Sequence, residues 1–313
     1  MNALELRSYR PGDEIAICDL FQQSYGRQMP LEYWRWRYAE NPHGAIWIEL
    51  AWDGDRLVAH YAVSPTKLQI GNDIVYAALS MTTMTHPDYR GRSLFPKLAG
   101  RLYEKLKDAG FCAVFGFPNT QSHRGFNTSL GWRDIYEIPS LVLSMKKAKP
   151  PKDSPNIQII DSIDDRFDRF GQCLKKGGIQ TVRNAKTLNW RFLKCPTNRY
   201  RTAGLMDGSE LRGYVVVKTY EAHSLDIVDI QTADGDTGGA LLDWATTVAA
   251  SEHLPMISAW LLPNNAVRIA AEARGFQAGA PVTYFGGKVL DGPSGRIDDW
   301  RNWNLLMAES DVY

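Results

Sequence analysis

The stretch "THPDYRGRSLFPKLAGRLYEKLKDAG", from Thr85 to Gly110, decides the fold. The preceding segment, "DIVYAALSMTTMT", is rich in β-branched and aromatic residues and predicts a strand, which ends before Pro87 because proline cannot donate to a ladder. After the turn, leucines recur every four positions, which predicts the buried face of an amphipathic helix. These are Leu94, Leu98, Leu102 and Leu106. The sequence therefore predicts a strand, a short loop and a helix.

The loop between this strand and helix carries Arg90, Gly91, Arg92 and Ser93. Free backbone N–H groups and the positive end of the helix dipole point into such a loop, and arginine suits phosphate geometry. The pattern predicts an anion cradle at a helix N-terminus, with an ordinary connection and solvated arginines as the alternative. It matches neither G-x-x-x-x-G-K-[ST] nor G-x-G-x-x-G, so it predicts neither a nucleoside triphosphatase nor a dinucleotide site.

The next segment, "FCAVFGFPN", predicts a buried strand ending at Pro118 and Asn119, and "LGW" closes the region at Trp132. Strand, "HPDYRGRSLF", helix, strand, "GFPN", helix and "LGW" together resemble the acyl-CoA-binding core of the GNAT N-acetyltransferase superfamily. Arg90 matches the first position of the family's pyrophosphate loop. Ser93 and Phe95 stand where that loop usually has glycine or alanine.

The resemblance implies a cofactor, acetyl-CoA or another acyl-CoA, and no metal. It implies backbone contacts of Met84 and Thr85 with the pantetheine arm, and a contact of Asn119 with coenzyme A near the catalytic site. A helix cap is the alternative role for Asn119. The cofactor-binding residues expected from the resemblance are Met84, Thr85, Arg90, Gly91, Arg92, Ser93, Leu94, Phe95 and Asn119.

Three motifs recur in the same order, which indicates an internal duplication. "WRYAENP" at Trp36–Pro42 is matched by "WRFLKCP" at Trp190–Pro196, 154 residues later. "DGDRLVAHYAV" is matched by "DGSELRGYVVV" at the same spacing, and "FPN…LGW" is matched by "LPN…RGF". Coincidence among short motifs is the alternative.

The duplication predicts two GNAT-like halves of the α/β class, each a mixed, mostly antiparallel central sheet flanked by helices. We expect a catalytic domain at 1–148, a degenerate domain at 156–290 and a tail at 291–313, with the exposed linker "KKAKPPKDSPN" at the boundary. The counterpart of the Arg90 loop is "DTGGAL", where Asp236 reverses the charge and Gly238 and Gly239 keep the turn. The second half is therefore expected to lack a coenzyme A site and to have a structural role.

A GNAT-like site transfers an acyl group from a thioester to an amine, which requires removal of a proton and polarisation of a carbonyl. His60, on a predicted central strand, is the candidate base, with a hydrogen-bonded structural histidine as the alternative. Asn127 stands where many members of the family have a tyrosine acid. In one relative a terminal carboxylate reaches the active site, which makes Tyr313 a further catalytic candidate, against a docked or frayed end.

The stretch "LEYWRWRY", at Leu31–Tyr38, is aromatic and basic. In the resembled fold this region borders the acceptor pocket, so the substrate-binding candidates are Tyr33, Trp34, Arg35 and, on the predicted strand, Thr82. A helix packed through one face is the alternative.

Composition restricts the partners of the protein. The net charge of +1 over 313 residues argues against a nucleic-acid partner. No signal peptide or apolar run of about 20 residues is present, so we expect a cytoplasmic protein, monomeric or homodimeric, with no membrane partner. The four cysteines are scattered and are expected to be buried reduced thiols without zinc or disulfides.

These observations predict an acyl-CoA-dependent N-acetyltransferase acting on a primary amine of a small molecule. By analogy with the resembled branch, the first candidate acceptor is an amino sugar, free or nucleotide-linked. Aminoglycoside-like and peptide amines stay open. The rival functions are a non-catalytic acyl-CoA-binding or scaffold protein, and an aminoacyl transferase with a tRNA donor, against which the near-neutral charge argues.

Overall fold

The computed structural model describes residues 3–154, 156–174, 178–291 and 294–313. The strands in chain order are β1 (Glu5–Ser8), β2 (Trp47–Asp53), β3 (Arg56–Ile70), β4 (Asp73–Thr85), β5 (Ala113–Gly116), β6 (Arg133–Ser144), β7 (Ile157–Ile160), β8 (Ile179–Thr181), β9 (Arg201–Asp207), β10 (Glu210–Tyr220), β11 (Ser224–Thr232), β12 (Met256–Ala259) and β13 (Gln277–Val289). The helices are α1 (Glu14–Tyr25), α2 (Leu31–Trp34), α3 (Leu94–Asp108), α4 (His123–Leu130), α5 (Asp165–Cys173), α6 (Ala185–Leu188), α7 (Gly235–Ser251), α8 (Arg268–Ala273) and α9 (Ser294–Ile297).

The chain divides into two compact units. Unit 1 takes in the chain up to Leu68, Ile74–Tyr136 and Tyr284–Trp300, and unit 2 takes in Gln69–Asp73, Glu137–Thr283 and Arg301–Tyr313. The limits expected from the sequence, 1–148, 156–290 and 291–313, stay a prediction about which parts fold independently.

Both units contain a mixed sheet with the same pattern of strand directions. In unit 1 the order is β1-β2-β3-β4-β5-β13, and in unit 2 it is β7-β9-β10-β11-β12-β6. In unit 1, β4 and β5 are parallel, and in unit 2, β11 and β12 are parallel. The antiparallel pairs are β1–β2, β2–β3 and β5–β13 in unit 1, and β7–β9, β9–β10, β10–β11 and β6–β12 in unit 2. The predicted fold class, an α/β protein with mostly antiparallel sheets flanked by helices, is confirmed.

The sixth strand of each sheet comes from the opposite half of the sequence. Gly286–Val289 of β13 pairs with β5 in unit 1, and Leu141–Ser144 of β6 pairs with β12 in unit 2. The sequence analysis did not predict this exchange, because the pairing partners of a strand are not encoded in its local pattern.

Unit 1 has an apolar cluster on each face of β3. Tyr61 and Val63 belong to one cluster with the buried leucines of α3, and Ala62 belongs to the other. This follows strand alternation, which places successive side chains on opposite faces. Burial of each leucine on α3 contributes about 2 kcal/mol, so the predicted helix face fixes α3 against the sheet.

The cysteines depart from the expectation that all four are buried. Cys112 and Cys195 are buried, but Cys18 is half-buried and Cys173 is exposed. All four thiols are free. Among the described residues, no helix is both long and apolar enough to cross a membrane.

A buried carboxylate joins three elements of unit 1. Glu49 on β2 is fully buried and accepts hydrogen bonds from Lys105 at 2.5 Å, Ser8 at 2.6 Å and Arg101 at 3.0 Å. Burial by itself would raise the pKa of Glu49, but these hydrogen bonds outweigh burial and lower the pKa. Glu49 therefore ties β1 and α3 to β2 in its charged form.

We expect Glu49→Gln to lower the free energy of unfolding by about 2 kcal/mol at pH 7. The loss should be smaller than the loss from breaking a fully buried ion pair, because Lys105 and Arg101 are partly exposed. A lowered folded pKa stabilises the fold above the unfolded pKa, and this contribution is lost as the pH falls through the folded pKa. The difference between wild type and variant should therefore shrink below the ordinary pKa of 4.5. Urea denaturation at several pH values measures it. Asp165→Asn, at an exposed ion pair with Arg169, is the control and should change the free energy of unfolding far less than Glu49→Gln. Equal losses from both variants would contradict the prediction.

Candidate active site

Strand β4 continues beyond the region that its parallel neighbour covers. The register with β5 pairs Ala78 with Val114 and Leu79 with Phe115, whereas β4 runs on to Thr85. At the point of divergence, a Cβ added to Gly116 would lie 3.1 Å from the Ser80 oxygen, so glycine permits the close approach of the strands. The second half of β4 is thus the part of the strand that a ligand can approach.

The backbone of β4 is kinked where the strands diverge. Thr82 has a φ of 51°, in the left-handed region that residues other than glycine rarely adopt. Its carbonyl oxygen accepts a hydrogen bond from Nδ1 of His60 at 2.7 Å. Met84 is buried in the apolar cluster of this face and Thr85 is half-buried. The predicted substrate residue Thr82 and the predicted cofactor residues Met84 and Thr85 therefore lie on one kinked segment.

A network of rings and ion pairs braces the loop after β4. The Tyr89 hydroxyl donates to Asp53 at 2.5 Å, and Arg56 lies 2.6 Å from Nε2 of His86. The Arg92 guanidinium lies 4.5 Å from the centre of the Tyr89 ring. His86 and Tyr89 therefore pack against neighbouring side chains of this turn.

The N-terminus of α3 is open. Gly91 and Ser93 both have positive φ values, 78° and 57°, and the Ser93 side chain makes no capping hydrogen bond to the helix. Arg90 to Ser93 are all exposed. The N–H groups of the first turn of α3 therefore lie next to an exposed loop that carries two arginines, a combination that suits a diphosphate. Next along the helix, Leu94 is buried and the Phe95 ring packs on Phe126 at 5.0 Å.

The counterpart of this N-terminus in unit 2 is closed by a carboxylate. Asp234 caps α7, and its Oδ1 accepts a hydrogen bond from the N–H of Thr237 at 2.7 Å. That backbone hydrogen bond lowers the pKa of Asp234. Gly238 and Gly239 were expected in a turn, but this was wrong: both lie within α7, where they pack closely against Val267 and Arg274.

His60 is a buried neutral imidazole. Because Nδ1 faces the carbonyl oxygen of Thr82, it carries the proton, and Nε2 presents a lone pair. Nε2 is buried and has no hydrogen-bond partner among the described residues. Burial lowers the pKa of His60 to about 4, so the ring is neutral near pH 7.

Asn119 caps the start of the segment that leads into α4. Its Oδ1 accepts hydrogen bonds from the N–H groups of Gln121 and Ser122 at 3.1 and 2.9 Å. The capping alternative is thus present in the structure. The Asn119 side chain is exposed and lies in the turn that follows β5.

The aromatic segment forms α2 and a π-helical turn, Arg35–Ala39. Trp34 is buried and its ring contacts those of Tyr9 and Tyr38, as the packing alternative expected. Tyr33 is half-buried against Trp36, and Arg35 is exposed. Of these three predicted substrate residues, Trp34 lies in the apolar core of unit 1.

Tyr313 belongs to unit 2, not to the unit that contains His60 and the Arg90 loop. Its ring lies 5.2 Å from that of Trp260, and the ammonium of Lys218 lies 5.5 Å from its centre. Its role at the reacting centre stays a prediction. No group of three or more His, Cys, Asp or Glu side chains among the described residues is arranged to hold a metal.

The sequence model of the acetyltransferase (GNAT) domain family matches residues 5–135. This segment belongs to the GNAT superfamily. No curated protein sequence matches the chain.

Solved structures of acyltransferases resemble the chain along most of its length. A GCN5-related N-acetyltransferase from Anabaena variabilis is 12% identical, with a TM-score of 0.70, over 92% of this chain and 73% of its own. One from Kribbella flavida is 16% identical, with a TM-score of 0.67, over 93% and 72%. The Saccharomyces cerevisiae N-myristoyltransferase with bound myristoyl-CoA is 10% identical, with a TM-score of 0.63, over 92% and 83%. At these identities the likeness shows the fold.

The GNAT domain departs from the resembled pattern on α4. Asn127, at the position of the usual tyrosine acid, donates to Asp134 at 3.1 Å. His123, one turn earlier, lies 2.7 Å from Asp134 and stacks on Tyr284 with ring centres 4.0 Å apart. Sequence analysis missed this group, because only the exchanged strand β13 brings Tyr284 to α4.

We expect His60 to make the stability of the protein sensitive to mild acid. Between the unfolded pKa of 6.5 and the folded pKa of about 4, the unfolded chain binds a proton that the folded protein does not. The free energy of unfolding therefore falls as the pH decreases, by about 2 kcal/mol from pH 7 to pH 5. His60→Asn, whose amide can still donate to Thr82, should lack this component in denaturation curves at the two pH values. His223→Asn, at an exposed histidine, should behave as wild type. An unchanged pH dependence in His60→Asn would refute the prediction.

Ser93→Gly should stabilise the protein by about 0.5–1 kcal/mol, because glycine adopts a φ of 57° without the penalty that a Cβ imposes. Thermal unfolding measures the change. Ser122→Gly is the control, since Ser122 has an ordinary φ of −92° and should gain nothing. A stabilised control or an unchanged Ser93→Gly would contradict this account.

Proposed function

We propose that the protein is an acyl-CoA-dependent N-acyltransferase that transfers an acetyl or related acyl group to a primary amine of a small molecule. The observation that carries the proposal is the open N-terminus of α3, placed beside the free half of β4. The amino-sugar class, free or nucleotide-linked, is the first acceptor class to screen.

The residues around the loop fit an acyl-CoA. The N–H groups of the first turn of α3, with Arg90 and Arg92, would hold the diphosphate. The backbone of Met84 and Thr85 would bind the pantetheine arm, and Asn119 would contact it through Nδ2. The cofactor supplies the acyl group as an activated thioester when bound.

His60 and Thr82 would position the acceptor amine. The lone pair on Nε2 of His60 accepts a hydrogen bond from the amine N–H, which aims the nitrogen lone pair at the acyl carbon. As the N–C bond forms, the C–S bond of the thioester would break, and the amine nitrogen would lose one proton along this hydrogen bond to Nε2 of His60. The neutral state of His60 at pH 7 suits this role, because a charged imidazolium has no acceptor.

The sulfur of the leaving group takes its proton from solvent in this scheme. Asn127 carries no titratable proton, and its amide is engaged with Asp134. A non-catalytic acyl-CoA-binding protein is the alternative that the missing acid favours. Turnover with amines separates the two functions.

Calorimetric titration with acetyl-CoA tests the proposal. We expect micromolar binding by the wild type and a loss of about tenfold or more in Arg90→Glu, because a carboxylate would replace a charge-assisted donor to the diphosphate. Lys107→Glu makes the same charge change at the other end of α3 and should bind as wild type. No binding of acetyl-CoA or coenzyme A by the wild type would refute the proposal. Binding without release of coenzyme A in the presence of any amine would favour the non-catalytic alternative.

A further inference from the structure

Strand β11 of unit 2 also continues past its parallel neighbour. Residues 225–227 pair with residues 257–259 of β12, whereas β11 runs on to Thr232. Gln231, in this uncovered part, lies 146 residues after Thr85, and the same interval separates the loops before α3 and α7. The end of β11 is therefore the counterpart, in unit 2, of the segment of β4 that is expected to bind an acyl-CoA.

A cleft of about 560 Å³ lies along this uncovered end of β11, and we call it the unit 2 cleft. Residues 230–233 form one part of its lining, and the turn after β12, residues 264–267, forms another. Residues 301–304 also line it, and all of its lining residues belong to unit 2. Its volume is that of a site for a small molecule.

The unit 2 cleft does not suit the diphosphate of an acyl-CoA. Asp234 directly follows the last lining residue of β11 and accepts a hydrogen bond from the N–H of Thr237 at 2.7 Å. Asp236 stands where unit 1 has Arg90. Because these carboxylates repel phosphate, a ligand of the unit 2 cleft has to be recognised by groups other than a helix N-terminus.

Carboxamide side chains provide much of the polar lining. Six of the described lining residues carry one, namely Gln180, Gln231, Asn264, Asn265, Asn302 and Asn304. Asn265 donates to Oδ1 of Asn304 at 2.8 Å, and Asn304 donates to Oε1 of Gln180 at 3.1 Å. Asn264 donates to the main-chain oxygens of Arg301 and Trp303 at 2.8 and 3.1 Å. Most of these amides are therefore held in place before a ligand arrives, which lowers the entropic cost of binding.

Gln231 brings an unpaired hydrogen-bond donor to this lining. Its side chain is buried, with 5% exposed, and Nε2 has no hydrogen-bond partner among the described residues. A buried donor without an acceptor costs about 1–3 kcal/mol. An oxygen atom of a ligand in the unit 2 cleft would remove that cost, so the cleft gains stability from being occupied.

The chemistry of the lining favours hydroxyl groups as ligand groups. A carboxamide presents a donor and an acceptor side by side, and a hydroxyl both donates and accepts. Leu174, Ile230 and Val267 add apolar surface for the C–H groups of a ring. Among the described lining residues, Arg301 alone carries a full charge. A neutral sugar combines several hydroxyl groups with an apolar ring and fits this lining.

We propose that the unit 2 cleft binds a neutral sugar, and that Gln231 donates a hydrogen bond to one of its hydroxyl groups. The inference goes beyond the proposed acyltransferase function and does not depend on it. Unit 2 then has a binding role in addition to the structural role expected from the sequence.

Cys173 is a reporter for occupation of the unit 2 cleft. It lines the cleft, and its thiol is free and exposed. Burial raises the pKa of Cys18 and of Cys112 to about 11, and Cys195 is buried, so these three thiols should react slowly. The rate at which iodoacetamide alkylates Cys173, followed by mass spectrometry of peptides, therefore measures access to the cleft.

The probes for the full-length protein are glucose, galactose, N-acetylglucosamine and lactose. We expect at least one of these sugars to slow the alkylation of Cys173 saturably, by about fivefold or more at saturation, because the bound form is protected. Acetyl-CoA should not protect Cys173, since Asp234 and Asp236 repel its phosphates. Protection by acetyl-CoA or by N-acetylglycinamide, but by none of the sugars, would overturn the proposal.

Gln231→Met separates binding from folding. Methionine keeps the length of the side chain and removes the unpaired donor, so the thermal midpoint should stay the same or rise. The sugar concentration that gives half protection should nevertheless increase about five- to tenfold, because one hydrogen bond to the ligand is lost. Gln158→Met, at an exposed position of β7 outside the cleft, is the matched control and should behave as wild type. Equal protection of the wild type and Gln231→Met would contradict the proposal.

A second variant blocks the unit 2 cleft without touching the core. Ala266 is an exposed lining residue, so Ala266→Trp should fold and should abolish binding of the protecting sugar in calorimetry. Ile269→Trp, at a position of α8 that is 80% exposed and outside the lining, should bind as wild type. Unchanged binding by Ala266→Trp would place the sugar elsewhere and overturn the proposal.

Discussion

The early divergence of β5 from β4 is the constraint on which the site depends. Peptide groups of a buried strand require hydrogen-bond partners, and β5 ends at Gly116 while β4 continues to Thr85. The structure meets part of this requirement with a side chain, since His60 donates to the Thr82 carbonyl. The Tyr25 hydroxyl meets another part of it by donating to the Thr83 carbonyl oxygen at 2.6 Å. The position of the loop and of α3 then follows, because both begin where β4 ends.

The two copies meet the same requirement in different ways. In unit 1 the helix N-terminus is open and arginines stand before it, so negative charge has to come from outside. In unit 2 the Asp234 carboxylate supplies the negative charge at the N-terminus of α7. The main-chain oxygens of Arg301 and Trp303 accept hydrogen bonds from Asn264. A carboxylate at a helix N-terminus and a bound diphosphate exclude each other by repulsion. The N-terminus of α7 in unit 2 is thus capped by the chain itself, whereas that of α3 in unit 1 is not capped by a side chain.

The sequence predicted the local parts of this arrangement well. The strand before Pro87, the leucine face of α3 and the sheet type depend on short-range patterns, and the structure confirms them. The exchange of β6 and β13 depends on pairing between distant segments, which no local pattern records. For the same reason the contact of His123 with Tyr284 of β13 was not predicted.

The charge state of His60 bears on how an amine could bind beside the kinked segment of β4. His60 stays neutral at pH 7, since burial lowers its pKa to about 4. It therefore does not repel an amine, as a cation would. Under the proposed acyltransferase function, the amine would meet this neutral acceptor near Thr82, where β4 continues past the end of β5.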